Sequence, residues 1–436
     1  MRAAAVVLAL AAAGAVAQDA GEPIPKADLQ LVSDAVRYIR RDYARETDDA
    51  ALASACADAL AAASGSSERA ARSLEALPGL LMRARAATRG EITYRKLADR
   101  CIAGMVGTLD KHSEYLDEEE ARLMYRGAPG VAATGLELRK NGKDLVAVDV
   151  YDDSPAAKAG MRVGDVILMI DGVAADSLSL RDAVLRLRGG AGSTVALQVM
   201  RPGTVKPMEL VAKREVIRIQ SVRVRWLEGD VLELQVNRLV DSTRAELQRE
   251  IMKIAGSPPR APRGILLDLR ANSGGLLTVA VDLAGLFLEK GAPVGSTRGR
   301  RGRMIAPYTA GEHPSANRYW SYQSMLLPEP LTTALRKAPL IVLVAGRTAS
   351  GAEILAAALQ VNGRARLAGE RSFGRGSIQT LFPLGVGAGP MLKLTTAYWY
   401  GPKDVELDGA PLEPELPASE EGARAAALAA LGQAAR

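Results

Sequence analysis

Residues 339–344, Pro-Leu-Ile-Val-Leu-Val, run into Gly346-Arg347-Thr348-Ala349-Ser350-Gly351-Ala352-Glu353-Ile354, and the fold turns on this passage. The first six residues are continuously apolar and rich in β-branched side chains, the pattern of a strand buried on both faces. From Glu353 the order Glu-Ile-Leu-Ala-Ala-Ala-Leu-Gln has the Ala and Leu content of a helix. Ser350 therefore falls at a strand-to-helix turn, where a hydroxyl is exposed and the first helical amides have no intrahelical partner. Amides so placed stabilise a developing oxyanion. A second apolar strand then leads through Gly369-Glu370-Arg371-Ser372-Phe373-Gly374 to Arg375-Gly376-Ser377-Ile378-Gln379.

Together these two segments resemble the active site of the carboxy-terminal (tail-specific) processing serine peptidases, which work with a Ser-Lys dyad. The resemblance implies that Ser350 is the nucleophile. The position spaced from it as the dyad Lys is spaced from its Ser holds Arg375. Gln379 is retained, and by the same resemblance orients the residue at 375. Upstream, Leu267-Asp268-Leu269-Arg270-Ala271-Asn272-Ser273-Gly274-Gly275-Leu276-Leu277 follows the family's Leu-Asp-Leu-Arg-x-Asn-x-Gly-Gly-x-Leu pattern, with Ser273 where Pro is frequent. The family takes one oxyanion donor from this Gly-Gly turn, here Gly274 or Gly275, and the other from the amide after the nucleophile, here Gly351.

Arg375 changes the chemistry expected. A Ser hydroxyl is a poor nucleophile until a base removes its proton, and a Lys amine does so once burial lowers its pKa toward neutrality. A guanidinium stays protonated in proteins, so Arg375 donates hydrogen bonds but accepts no proton. A general base contributes ~10²–10⁴-fold in rate, whereas an oxyanion hole with bound substrate retains ~10³–10⁴-fold over water in a comparable system. Two readings stand: a serine endopeptidase, or an impaired pseudopeptidase that captures peptides without cutting them.

Residues 134–200 carry a different pattern. Thr134, Gly135, Leu136, Glu137 and Leu138 open a strand, and residues 145–150 form another after the turn at Asn141-Gly142. Ser154-Pro155-Ala156-Ala157-Lys158-Ala159-Gly160 reads as a capped short helix ending in Gly. The run Ser154-Pro-Ala-x-x-Ala-Gly-x-x-x-Gly-Asp-x-Ile through Ile167, the helix 180–187 and the strand 195–200 complete a close resemblance to a PDZ domain. PDZ domains bind a peptide as an added strand and hold its terminal carboxylate on loop amides. That loop is implied near Thr134, Gly135, Leu136, Glu137 and Leu138, so the expected partners are peptide or protein C-termini. A domain that merely braces the enzyme is the other reading.

Four helical stretches precede it, at residues 29–43, 50–63, 68–87 and 94–109, the first with an amphipathic stripe of Leu29, Val32, Val36, Ile39 and Tyr43. The turn Asp110-Lys111-His112-Ser113-Glu114-Tyr115-Leu116 resembles the family's Leu-Asp-Pro-His-Ser-x-Tyr-Leu, while residues 62–93 are additional helix relative to that pattern. Relatives often dimerise through such helices, so a homo-oligomer and plain packing both stand. Cys56 and Cys101, the only two cysteines, are either a disulfide or two separately buried small hydrophobes. Of the two histidines, His112 reads as structural and His313 as a loop residue, which disfavours a Ser-His-Asp triad. Two His and two Cys at these separations match no metal-ligand spacing, and the chemistry asks for no cofactor.

At 436 residues, 48% hydrophobic and 24% charged, the chain has room for two or three domains of ordinary globular composition. Its net charge of +6 does not point to nucleic acid. The densest basic run, Thr297-Arg298-Gly299-Arg300-Arg301-Gly302-Arg303, has no interleaved aromatics and reads as a solvated hairpin turn. Residues 1–17 combine a positive start, a short apolar run and small residues ending at Ala17, a secretory signal peptide. The mature chain is expected outside the cytoplasm, in the periplasm, secreted or at the cell-envelope exterior, with no stable membrane insertion. The fold expected is multidomain α/β. A helical region (18–125) precedes a β-rich PDZ domain with short helices (130–214). A ClpP/crotonase-like α/β peptidase core (215–416) with a largely parallel sheet follows, then an Ala-rich helical tail (417–436).

Overall fold

Strand Leu340–Val344 is buried at every position, as its unbroken apolar run requires. In the computed structural model, which describes residues 23–65, 71, 73–124, 131–151, 153–217, 221–256, 259–311, 327–385 and 389–434, this strand lies inside a six-stranded sheet. The order is Val222–Leu227, Val231–Val236, Gly264–Asp268, Leu340–Val344, Arg366–Gly369 and Leu416–Pro417. Only the first pairing is antiparallel; the rest are parallel. The alternating strand and helix pattern therefore yields the parallel sheet expected of it, because each helix returns the chain to the same sheet end.

Side-chain alternation along strand Leu340–Val344 splits its apolar residues between two cores. Leu340, Val342 and Val344 pack with Leu247, Ile251, Val281, Phe287, Leu355 and Leu359 from helices Thr243–Ile254, Leu277–Phe287 and Gly351–Val361. Ile341 and Leu343 pack on the opposite face with Leu266, Ala368, Ala423, Ala427 and Leu431, the last three from helix Ala423–Ala434. Burying one such aliphatic side chain is worth about 1.5–3 kcal/mol, so this strand is anchored on both sides by several of them.

The chain divides into two compact units, one of residues up to 41, 47–117 and 381–394, the other of 42–46, 118–380 and 395 onward. The second holds the six-stranded sheet and also the PDZ module. In that module strands Leu136–Asn141, Asp144–Val150, Val166–Ile170, Thr194–Met200 and Met208–Lys213 form one sheet. Its core joins Leu145, Ile167, Ile170, Val195, Leu197 and Val199 to Ala183 and Leu187 of helix Leu180–Leu187. Leu136–Asn141 is one of the two edge strands, pairing among the described residues with Asp144–Val150, and Met208–Lys213 is the other.

The first unit packs helices Lys26–Asp42, Asp49–Ser64, Leu77–Ala87 and Tyr94–Gly107 around Leu31, Val36, Ile39, Leu52, Leu97 and Ile102. The expectation of one continuous helix over 68–87 is corrected. Ser73 is extended, with φ −149° and ψ 150°, a short 3₁₀ turn follows at Leu74–Ala76, and the α-helix starts at Leu77. Pro78 explains the boundary, since its missing N–H and fixed φ suit the first helical turn and not a helix interior. Residues 68–70 and 72, which that expectation included, lie outside the described residues, as do the signal-peptide stretch and His313. No helix among the described residues is long and apolar enough to cross a membrane.

Cys56 and Cys101 form a disulfide that ties helix Asp49–Ser64 to helix Tyr94–Gly107, closing a sequence separation of 45. A loop of that length removes roughly 4 kcal/mol of chain entropy from the unfolded state. The paired substitution Cys56→Ala with Cys101→Ala is expected to lower the unfolding free energy by about 2–4 kcal/mol, measured by urea denaturation. The reduced wild-type chain is expected to fall by a similar amount.

Candidate active site

Ser350 ends the turn after strand Leu340–Val344 with φ 55° and ψ −120°, a conformation that non-glycine residues rarely adopt. Such strain costs about 1–3 kcal/mol and persists only where the surroundings over-determine it. Here they do. The buried Thr348 hydroxyl donates to Leu269 O at 2.9 Å and accepts from Ala345 N at 3.0 Å. Ala349 N donates to Asn272 O at 3.1 Å, and Phe373 N to Thr348 O at 2.9 Å. The helix after the turn starts at Gly351, two residues before the expected start at Glu353, which places Glu353 in its first turn.

Glu353 is the residue whose role the sequence reading missed. It is only 1% exposed, and its carboxylate accepts four hydrogen bonds from two separate segments. Oε2 takes Ser350 N and Arg375 N, both at 2.8 Å. Oε1 takes Gly374 N at 2.6 Å and the Ser372 hydroxyl at 2.5 Å. A buried carboxylate is tolerable only with such saturation. The signal was present in the sequence as Ser350-x-x-Glu353, the spacing of a capping box at a helix start.

The same carboxylate oxygen thus brings the backbones of Ser350 and Arg375 together. The Arg375 guanidinium donates from Nη2 to Gln379 Oε1 at 3.3 Å. Gln379 Nε2 donates in turn to Ser377 Oγ at 3.1 Å and Thr395 Oγ1 at 3.3 Å. These two bonds fix the amide with its oxygen toward residue 375. Arg375 Nε is buried without a hydrogen-bond partner, and no carboxylate pairs with this guanidinium among the described residues. Gly376 N donates to Asp408 Oδ1 at 3.1 Å, anchoring the far side of the loop.

The Gly-Gly turn lies against Ser350. A Cβ added to Gly274, whose φ is 104°, would stand 2.9 Å from Ser350 Cβ and 3.1 Å from Gly351 N. A Cβ on Gly275, at φ 142°, would overlap Leu239 O at 2.1 Å, so neither position admits a side chain. The two glycines are not equivalent as donors. Gly274 N–H is spent on Asn272 Oδ1 at 2.8 Å. Among the described residues the N–H groups of Gly275 and Gly351 are engaged by no acceptor. Asn272, fully buried, sets this arrangement by also donating from Nδ2 to Val236 O at 3.0 Å.

On the PDZ module, Thr134 is buried and Gly135 has φ 80°, with Ser154 Cβ 2.3 Å from where its Cβ would be. Leu136, Glu137 and Leu138 are half-buried along the edge strand. Glu137 is ion-paired with Arg238 and accepts from the Tyr151 hydroxyl at 3.1 Å. Burial raises the Tyr151 hydroxyl well above its ordinary pKa, so it remains a donor. Arg347, in the nucleophile turn, donates to Val148 O of the PDZ sheet at 3.2 Å. His112 sits in the Asp110 turn of the other unit, its N–H on Asp110 Oδ1 at 2.7 Å.

The family model for peptidase family S41 matches residues 217–418, and that for the PDZ domain matches residues 132–211. A carboxy-terminal-processing protease of Bartonella bacilliformis is 36% identical over 324 residues, 74% of this chain and 69% of that one. The carboxy-terminal processing protease CtpA of Bacillus subtilis is 30% identical over 306 residues, 70% of this chain and 60% of that one. The solved photosystem II D1 C-terminal processing protease superposes with a TM-score of 0.61 at 24% identity, covering 91% of this chain and 94% of its own, a likeness of fold.

The hydrogen-bond geometry ranks two substitutions. Glu353→Gln places an NH₂ group against donors it cannot satisfy and is expected to cost about 2–4 kcal/mol, whereas Ser372→Ala removes one donor to Glu353 and the acceptor of Leu412 N and costs about 1–2 kcal/mol. Urea unfolding midpoints of the two variants check the order, and equal losses would contradict the role given to the carboxylate.

Proposed function

Because this chain belongs to the carboxy-terminal processing proteases of peptidase family S41 and carries a PDZ domain, we propose that it is an extracytoplasmic serine endopeptidase. It receives substrate C-termini in the PDZ groove and cleaves near them with Ser350. The observation that carries this reading is the strained Ser350 turn, held beside two open amide donors, Gly275 and Gly351. Strain of this kind has no packing purpose and suits a hydroxyl presented at a strand-to-helix elbow.

The chemistry follows. A peptide lies along the edge strand Leu136–Asn141, adding main-chain hydrogen bonds, with its terminal carboxylate near Thr134 and Gly135. At the cleavage site Ser350 Oγ bonds to the carbonyl carbon, and the carbonyl oxygen takes its negative charge onto the Gly275 and Gly351 N–H groups. The C–N bond breaks as the leaving amine takes up a proton, and water releases the acyl group from Ser350. Arg375 keeps its proton throughout, so solvent accepts the Ser350 proton. Turnover falls below that of a Ser-Lys site by ~10²–10⁴-fold. Gln379 holds residue 375 in place, and the signal peptide over residues 1–17 directs the chain out of the cytoplasm.

Arg375 itself favours a second reading, a peptide-capturing protein that does not cut. One substitution separates the two. Arg375→Lys restores a base and is expected to raise peptide hydrolysis by ~10²-fold or more, with the rate rising as increasing pH deprotonates the amine. A variant no faster than wild type would show that the site lacks more than its base. Independently, Ser350→Ala is expected to abolish both fluorophosphonate labelling and cleavage of a peptide with a free C-terminus. If wild type gives neither signal, the endopeptidase reading falls and capture remains.

A further inference from the structure

The backbone amide of Arg375 shares Glu353 Oε2 with Ser350 N, so a cationic residue is anchored next to the Ser350 turn. Arg375 has no ion-pair partner among the described residues, and its Nε is buried and unbonded. The nearest carboxylate through its own backbone, Glu353, is saturated by four donors and keeps none of its lone pairs facing a guanidinium. Gln379 engages a single Nη of the side chain. Two further donors, the N–H groups of Gly275 and Gly351, stand open beside Ser350. Of these groups Arg375 Nε is both buried and unmatched; a buried unmatched donor in a native protein calls for an explanation, and a missing anion is the simplest when the group is permanently charged.

We propose that Arg375, Gly275 N–H and Gly351 N–H together form a receptor for a carboxylate seated at Ser350, so that this cleft binds peptides by a free α-carboxylate. The inference rests on reading the Ser350 turn as the peptide-carbonyl site. It assigns the same site a ligand class distinct from the scissile carbonyl and separate from the groove of the PDZ module. The chemistry is that of guanidinium and amide donors on two oxygens, the pairing for which Arg is better shaped than Lys. A neutral Lys amine would leave a product carboxylate weakly held. A permanent cation retains it. When water's oxygen bonds to the acyl carbon and the Ser350 ester bond breaks, the hydroxyl regains its hydrogen and the peptide is left as a carboxylate with one proton released to solvent. That carboxylate is formed at the receptor and stays there, which makes the protein strongly inhibited by its own N-terminal product, or a holder of peptide ends where cutting is slow.

The test reads position 350 without turnover. With Cys56 and Cys101 bridged, Ser350→Cys introduces the one free thiol of the chain. Its alkylation rates by iodoacetate and iodoacetamide are compared with those of free cysteine, so that thiolate reactivity cancels in the ratio. The expected result is an iodoacetate preference about tenfold above the free-thiol ratio, the effect of one unit charge at short range in a partly shielded site. This preference is expected to vanish when Arg375→Gln is added. A second measurement needs no change at 375. N-acetyl-dialanine is expected to protect the thiol of the Ser350→Cys chain from iodoacetamide, and its C-terminal amide to protect at least tenfold less. Equal protection by acid and amide, or an iodoacetate ratio unmoved by Arg375→Gln, overturns the proposal. Neither outcome depends on hydrolysis, so the receptor fails or stands separately from the endopeptidase reading.

Discussion

One buried carboxylate holds the site together. Glu353 cannot be left unsatisfied in the interior, and the groups that satisfy it come from the nucleophile turn and from the 372–375 loop, which are distant in sequence. The cost of stranding that charge is therefore what makes the two segments one structure. Ser350 keeps its unfavourable backbone because its N–H, the amide of Arg375 and the hydroxyl of Ser372 all converge on the same group. Asn272 plays the matching part on the other side, using its side chain and backbone to join strand Val231–Val236, the Gly-Gly turn and Ala349. Two short polar side chains thus fix the relation of three loops, while the sheet beneath them supplies rigidity and no chemistry.

The fold was legible because periodicity is a local property. Residues 339–344 have an apolar run too long and too β-branched for a surface loop, and helix 180–187 appears at the bounds expected of it. The PDZ and peptidase motifs stood out for the same reason, being glycines and polar residues at fixed offsets from predictable elements. What was not legible depends on contacts between distant segments. Nothing in the local pattern distinguishes Gly274 from Gly275 as a donor; the choice comes from Asn272 Oδ1, which consumes one of the two N–H groups. Glu353 reads locally as a helix former with capping spacing, and its reach to residues 372–375 appears only once both loops are placed. The pairing of Cys56 with Cys101 was open on sequence alone, since it depends on helix packing.

Exchange of one basic residue for another at position 375 is conservative in charge and not in chemistry. Lys offers a lone pair when its proton leaves, and Arg offers none. The surrounding geometry has nevertheless kept the Gln379 carboxamide on the side chain and the Glu353 carboxylate on the backbone. Both contacts hold residue 375 in place, whatever the fate of the proton. Arg347 links the same turn to the PDZ sheet through Val148 O, and Glu137 links strand Leu136–Asn141 to Arg238. That strand and the Ser350 turn are each held across the two modules by an arginine.

Helix Ala423–Ala434 carries a consequence for the order in which the molecule comes into being. Ile341 and Leu343, on the strand that leads to Ser350, find half of their apolar surroundings in Ala423, Ala427 and Leu431. Strand Leu416–Pro417 likewise completes the sheet beside Arg366–Gly369. During synthesis, the residues that cover this face of strand Leu340–Val344 emerge after Ser350 and after the 372–375 loop. Until they arrive, one face of that strand stays wet, and the elbow lacks the support that keeps its backbone in an unfavourable conformation. A nascent chain therefore completes the support beneath the Ser350 turn only after residues 423–431 have emerged.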